Sequence, residues 1–195
     1  MVLQPVADLF NHSDTGCHVS FDAHCFTITA DRDYKEGEEV YICYGNHGND
    51  FLLVEYGFVM EKNRWDEVCL DGALLEELTE RQKEMLEEKG FGGGYVLDRE
   101  TVCYRTQVAV RCMCCGEEEW RRFVEEGKED DEELMQKRVD ERLVGILKKY
   151  RGRVGDKLQE VGRLDVGEAC QREVLGLRWR QIDELVKVTI ERLET

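Results

Sequence analysis

The chain has 195 residues, of which 42% are hydrophobic and one is proline, so it is long enough for one domain with a substantial core or for two small ones. The net charge of −16 is uneven, because residues 1 to 60 carry ten acidic and two basic side chains. Such a surface repels nucleic acid and attracts basic, lysine-rich protein partners, although solubility alone explains it equally well. Nine cysteines without an export signal or a membrane-length apolar run predict a reduced, intracellular protein that binds no membrane.

The first sixty residues show the alternation that is typical of half-buried β-strands. Apolar residues recur at every second position in three short runs, which are Val19 and Phe21, then Phe26, Ile28 and Ala30, then Val40, Ile42 and Tyr44. Asp22-Ala23-His24 is predicted to form a hairpin turn between the first two runs. Lys35-Glu36-Gly37-Glu38 separates the second run from the third, and Gly37 can supply a positive φ there.

After residue 60 the hydrophobic period becomes that of helices. One helix is predicted from about Asp71 to Gly90, a second behind an Asp130/Asp131 cap, and a third almost to the C-terminus. Residues 92 to 104 are typical of a short hairpin, and residues 105 to 111 either continue it or open another helix. The acidic run of residues 125 to 133 predicts a solvated loop. The helices together predict a small bundle.

The first part of the chain also carries an ordered set of motifs. Asn11-His12, preceded by Asp8, is followed by Ala30-Asp31-Arg32-Asp33, then by Gly37-Glu38-Glu39-Val40, and then by Tyr44-Gly45. Asn49 and Tyr56-Gly57-Phe58 complete the set. Taken alone, each of the two tyrosines is more often a core or strand residue than a catalytic one.

In this order the motifs resemble the C-terminal half of a SET domain, the fold that transfers a methyl group from S-adenosylmethionine to protein lysines. The continuation with Asn49 and the Tyr-Gly-Phe motif is most similar to the branch of the Rubisco large-subunit methyltransferase and its fungal and animal relatives. The resemblance implies an α+β fold, with a partial, β-rich SET fold over residues 1–60. A mainly helical substrate-binding domain then follows over residues 61–195.

The same resemblance implies a role for each of five residues. Asn11 and His12 would contact S-adenosylmethionine, largely through backbone and amide groups, and Tyr44 and Tyr56 would be the catalytic tyrosines that line the methyl-transfer channel and shape the lysine site. Phe58 would add a wall to the substrate channel. Aromatic rings suit this task because their faces attract cationic nitrogen, while a tyrosine hydroxyl accepts a hydrogen bond from an amine. The implied enzyme is a protein-lysine N-methyltransferase, with histidine methylation as a narrower variant.

Only ten residues precede Asn11, whereas members of the family have the first SET strands and a glycine-bearing loop for the methyl donor in that place. We therefore expect a fragment, an incomplete gene model or a decayed copy. An alternative function remains open, in which the chain is an inert, truncated SET remnant whose helical domain acts as a protein-interaction module.

Other candidate sites are weaker. Cys112-Met113-Cys114-Cys115 lacks the paired clusters of a closed zinc site, so no metal is predicted. By default, His18, His24 and His47 are satisfied or solvent-facing. The run Lys148-Lys149-Tyr150-Arg151-Gly152-Arg153 is either a set of helix-end cations or a nuclear address, so both nucleus and cytoplasm stay open.

Overall fold

The computed structural model describes residues 6–127 and 131–195, which form an α+β structure as predicted. A short 3-10 helix, Ala7–Leu9, leads into a sheet of β1 (Asn11–Phe21), β2 (Phe26–Thr29) and β3 (Tyr41–Ile42). The elements that follow are α1 (Asn49–Tyr56), β4 (Glu67–Cys69), α2 (Asp71–Leu75), α3 (Glu80–Glu88), β5 (Val96–Asp98), α4 (Tyr104–Cys114), α5 (Glu117–Glu126), α6 (Glu132–Gly162) and α7 (Ala169–Leu193). No helix in the described part of the chain is long and apolar enough to cross a membrane.

The predicted hairpin at Asp22 is confirmed. Strands β1 and β2 pair in antiparallel fashion, and Asp22 Oδ1 accepts the backbone N–H groups of His24 at 2.7 Å and Cys25 at 2.9 Å. Gly37 has a φ of +88°, also as predicted. The alternating burial is wrong at Phe21, which forms the last residue pair before the turn and is 80% exposed.

Strand β3 lies parallel to β1 on the other side from β2, which gives the sheet order β2-β1-β3. The register between β1 and β3 is irregular, because His12 and Cys17 both pair with Ile42. A Cβ atom at Gly16 would lie only 2.7 Å from the carbonyl oxygen of Tyr41, so the two backbones approach closely at a glycine. The irregular pairing brings the start of β1 beside the residues that follow β3.

The single helix predicted from Asp71 to Gly90 is wrong, because residues 76–79 are not helical and divide it into α2 and α3. Thr79 begins α3 with a capping box, in which its side chain accepts the N–H of Gln82 and the Gln82 side chain accepts the N–H of Thr79. Gly90, with a φ of +76°, stands just after that helix, as its prediction as a stop residue requires.

Three other predictions needed correction or completion. The hairpin predicted within residues 92 to 104 is present in a short form, with an antiparallel bridge between Leu97 and Val102 and a hydrogen bond from the Cys103 N–H to the Val96 carbonyl oxygen at 3.1 Å, and β5 also pairs with β4. Residues 105 to 111 belong to α4. The acidic run is not a loop at its ends, since residues 125–126 lie in α5 and residues 132–133 in α6.

The core lies in the helical part, where α6 and α7 pack as a long hairpin against α4 and α2. Asp131 caps α6 as predicted, through its Oδ1 and the N–H of Leu134 at 3.0 Å, while Asp130 lies outside the described residues. Trp120 is completely buried and fixes α5 by donating its indole N–H to the carbonyl oxygen of Val108 at 3.1 Å. Within the described residues 155–175, at the far end of the α6–α7 hairpin, none is buried.

Candidate functional site

Four ring side chains from separate elements meet beside the sheet. The Tyr44 ring lies 5.1 Å from that of His12 and 4.8 Å from that of Tyr56, measured between centroids. Phe58 lies 5.9 Å from His12 and 6.3 Å from Tyr56. The parallel pairing of His12 with Ile42 places Tyr44, two residues later, next to β1, and α1 ends at Tyr56. We call these four residues the aromatic cluster.

The position of Tyr44 is fixed at both ends of the residue. Its backbone N–H donates to His12 Nδ1 at 3.1 Å, and its hydroxyl donates to the carbonyl oxygen of Phe10 at 2.5 Å. Both partners belong to the start of β1 or precede it directly. The orientation of the Tyr44 ring is therefore set by the first strand.

Burial favours the neutral forms of His12 and Tyr44. Burial lowers the pKa of His12, and it outweighs the hydrogen bond with the Ile42 backbone and the charge of Asp14, which raise it. A neutral His12 is what the geometry requires, because Nδ1 can accept the Tyr44 N–H only without a proton. Burial, followed by the influence of Tyr56 and Asp8, raises the pKa of Tyr44, so its hydroxyl keeps its proton at neutral pH.

Asn11 does not join the aromatic cluster. Its amide Nδ2 donates to Glu39 Oε1 at 2.5 Å, and the Tyr41 hydroxyl donates to the other oxygen of that carboxylate at 2.7 Å. These two hydrogen bonds lower the pKa of Glu39. Asn11 is thus exposed at the start of the central strand β1, directly before His12 of the cluster.

Two further rings extend the cluster, and the sequence interpretation missed them. His47 stacks on Phe51 with a centroid distance of 3.9 Å and an interplanar angle of 18°, and Phe51 lies 6.3 Å from Tyr56. The default reading of His47 as satisfied or solvent-facing gave no hint of this. In the structure His47 lies close against Gly45, where a Cβ atom would come within 2.5 Å of His47 Nε2.

The segment that carries Tyr56 is also fixed from the helical part. Arg178 of α7, whose side chain is 2% exposed, forms ion pairs with Asp50 and Asp66. Gln181 of the same helix hydrogen-bonds to Asn49, which is itself 1% exposed. Neither α7 residue was predicted to belong to the site.

The chemistry that this arrangement permits is recognition of a cation. Stacked and tilted rings present faces that attract ammonium or sulfonium groups, and the protonated Tyr44 hydroxyl adds a polar group that can also accept a hydrogen bond. In the part of the chain that the structure describes, no group of three or more His, Cys, Asp or Glu side chains could hold a metal ion. Cys112 is buried on α4, and burial raises its pKa to about 11.

Comparison with known proteins supplies the context of this site. The family model "Ribosomal lysine N-methyltransferase 2 C-terminal domain" matches residues 68–192, and the SET domain model matches residues 2–45. The chain is 28% identical over 186 residues to Ribosomal lysine N-methyltransferase 2 of Saccharomyces cerevisiae, covering 84% of this chain and 39% of that protein. It is 32% identical over 114 residues to Ribosomal lysine N-methyltransferase set11 of Schizosaccharomyces pombe, covering 58% of this chain and 29% of that protein.

A third relative, Actin-histidine N-methyltransferase of Danio rerio, is 28% identical over 134 residues, covering 64% of this chain and 22% of that protein. The chain thus spans less than half the length of each of these relatives. The two family models together reach from the sheet to the end of α7, and the predicted membership is confirmed. The chain belongs to the family of SET-domain proteins that carry the C-terminal domain of ribosomal lysine N-methyltransferase 2.

Proposed function

We propose that this chain serves an S-adenosylmethionine-dependent protein-lysine N-methyltransferase that works inside the cell. The observation that carries the proposal is the approach of Tyr44 and Tyr56 to 4.8 Å, beside His12 and Phe58. A channel for a lysine side chain needs such aromatic walls. The named activities of the yeast relatives support the same reaction.

S-adenosylmethionine, when bound, supplies a methyl group on a positively charged sulfur. In our proposal Asn11 and His12 hold this donor at the start of β1, where the exposed Asn11 amide already binds a carboxylate and can exchange it for polar groups of a ligand. His12, Tyr44 and Phe58 suit the cationic sulfur because their rings favour positive charge. The donor set is therefore chemically suited to the cofactor.

Tyr44 and Tyr56 act on the incoming amine. A lysine nitrogen must be neutral to accept the methyl group, and aromatic walls help by excluding the water that would keep it protonated. The neutral Tyr44 hydroxyl can accept a hydrogen bond from the amine and orient its lone pair. Tyr56 is 49% exposed, so its ring stands where a lysine side chain would enter, with Phe58 as the neighbouring wall.

We further propose that the two parts of the chain have different tasks. Residues 1–60 contribute the chemistry, and residues 61–195 form the domain that holds the protein substrate. The excess of acidic side chains in residues 1–60 favours a basic substrate, and ribosomal proteins are candidates because the yeast relatives are named for them.

Methyl transfer with a radiolabelled donor tests this function. The purified protein is incubated with methyl-labelled S-adenosylmethionine and ribosomal proteins, and acid hydrolysis of the product identifies the modified amino acid. We expect label on lysine, together with measurable heat when the donor alone is titrated into the protein. Label on histidine would replace the lysine assignment. The absence of both label and binding heat would overturn the proposal.

A matched pair of variants controls for non-specific transfer. Tyr56→Phe removes a hydroxyl from the aromatic cluster, whereas Tyr104→Phe removes one from α4, where that ring packs near Phe91 and Phe123. The first variant should lower the rate of transfer, and the second should match the unmodified protein.

A further inference from the structure

Two side chains of α7 contact the segment that carries Tyr56. The Arg178 guanidinium uses all three of its nitrogens on this segment and on the chain that follows it. Nε donates to Asp50 Oδ1 at 2.6 Å, Nη1 to Asp66 Oδ2 at 2.8 Å and Nη2 to the carbonyl oxygen of Glu67 at 3.0 Å. Because the guanidinium is planar and rigid, these three acceptors are held in one fixed arrangement.

Asp66 transmits this arrangement to the start of α1. Its second oxygen, Oδ1, accepts the backbone N–H of Asn49 at 3.0 Å, and Asn49 is the first residue of that helix. The N-cap position is Gly48, which has no side chain with which to cap the helix. The carboxylate that binds Arg178 therefore also satisfies the helix end, where its negative charge is favourable.

Asn49 connects the two ends of the segment. Its Oδ1 accepts the N–H of Met60 at 3.1 Å, and its Nδ2 donates to the carbonyl oxygen of Met60 at 3.0 Å. Gln181 completes this junction, because its Nε2 donates to the same carbonyl at 2.8 Å and its Oε1 accepts from Asn49 Nδ2 at 3.0 Å. Hydrogen bonds thus join the two ends of the segment of residues 49–60, and Gln181 of α7 binds where these ends meet.

We propose that Arg178 and Gln181 are positioning residues, through which the helical domain sets the place of the Tyr56 ring relative to Tyr44. Tyr44 is oriented by β1, through Phe10 and His12, whereas Tyr56 lies on the segment that α7 holds. The distance between the two rings thus depends on the junction between the sheet part and α7. The catalytic meaning of this distance rests on the function proposed above, but the mechanical link does not.

Fluorine NMR of protein labelled with 3-fluorotyrosine tests the link directly. The resonances of Tyr44 and Tyr56 are assigned from their phenylalanine variants and then followed in Arg178→Lys and Gln181→Ala. Lysine keeps the charge at position 178 but cannot supply the three-way fork. Arg151→Lys is the matched control, because Arg151 of α6 forms two hydrogen bonds, at 2.8 and 3.2 Å, with Asp183 of α7.

We expect the Tyr56 resonance to shift or broaden in Arg178→Lys and in Gln181→Ala and to stay in place in Arg151→Lys. An unchanged Tyr56 resonance in the two junction variants would overturn the proposal, and so would an equal change in the control. If Arg178→Lys does not fold by circular dichroism, Gln181→Ala decides, since it removes only neutral hydrogen bonds.

Kinetics separate this proposal from the function on which it draws. In methyl transfer, the junction variants should lose roughly 10- to 100-fold in kcat, the size expected from a misplacement of about 1 Å, with little change in the KM for the methyl donor. A protein without any transfer activity would refute the proposed function and leave the NMR result to decide the positioning role. Full kcat in variants with a shifted Tyr56 resonance would refute the catalytic meaning of the position.

Discussion

Hydrogen bonds hold both the backbone and the side chain of Tyr44. Its N–H donates to His12 at the start of β1, and its hydroxyl donates to Phe10 directly before that strand. Replacing it by phenylalanine keeps the ring and removes the hydroxyl that would orient the amine. We expect Tyr44→Phe to reduce kcat for methyl transfer roughly 10- to 100-fold, because orientation of the nucleophile is lost. Affinity for the donor, measured by calorimetry, should change little. A variant with full kcat would contradict this role.

His12 makes the same site sensitive to acid. Burial lowers its pKa below the usual 6.5, so the unfolded chain binds a proton more readily than the folded one. The contribution of His12 to stability is therefore complete above pH 6.5 and declines as the pH falls through the lowered pKa of the folded state. In an NMR titration we expect the His12 ring to titrate below 6.5, together with the Tyr44 amide that it accepts. Titration above 6.5 would contradict the prediction.

The sequence could predict the members of the aromatic cluster but not its full surroundings. His12, Tyr44, Tyr56 and Phe58 belong to short motifs whose order is informative, and the structure brings them together. Arg178 was not predicted as part of the site, because an arginine in an amphipathic helix is ordinarily solvent-facing. Its partners lie 111 to 128 residues away in the sequence, so the folded structure is needed to reveal them.

At the scale of elements, α5 has one fully buried side chain, Trp120. Its indole N–H has its partner on α4, so the rest of this highly charged helix follows its position. We expect Trp120→Ala to lower the free energy of unfolding by about 3–5 kcal/mol, because it leaves a large cavity. Phe21→Ala, at a ring that is 80% exposed, is the control and should cost no more than about 0.5 kcal/mol in the same urea titration. Equal losses would contradict the assignment of Trp120 as an anchor.

Helices with a strong local sequence signal were predicted, and helices with a weak one were missed. Helices α6 and α7 have long apolar stripes, and the cap at Asp131 is explicit, so periodicity was enough to find them. Helix α1 was missed because Phe51, Leu52, Leu53 and Val54 form a continuous apolar run without helical period. Helix α5 was missed because acidic and basic residues dominate it, and a charge-rich stretch is typical of a solvated loop.

For the whole molecule, burial is distributed unequally. The core cluster includes residues from Val68 to Ile190, whereas in the described part before residue 68 the buried apolar side chains are Cys17, Ile42 and Leu52. Local opening costs less where fewer apolar contacts are lost. We expect hydrogen exchange to be faster at the amides of β1, β2 and β3 than at the central amides of α4, α6 and α7. Mass spectrometry of deuterated peptides measures this, and uniform protection would contradict it.

The far end of the α6–α7 hairpin should tolerate changes of length and sequence. Residues 163–168 join the two helices, and no residue between Val154 and Gly176 is buried, so this end is not constrained by the core. Doubling the length of such a connection costs only about 0.6 kcal/mol in chain entropy. Insertions, deletions and changes of charge should therefore accumulate here among related sequences while the helix stems stay constant.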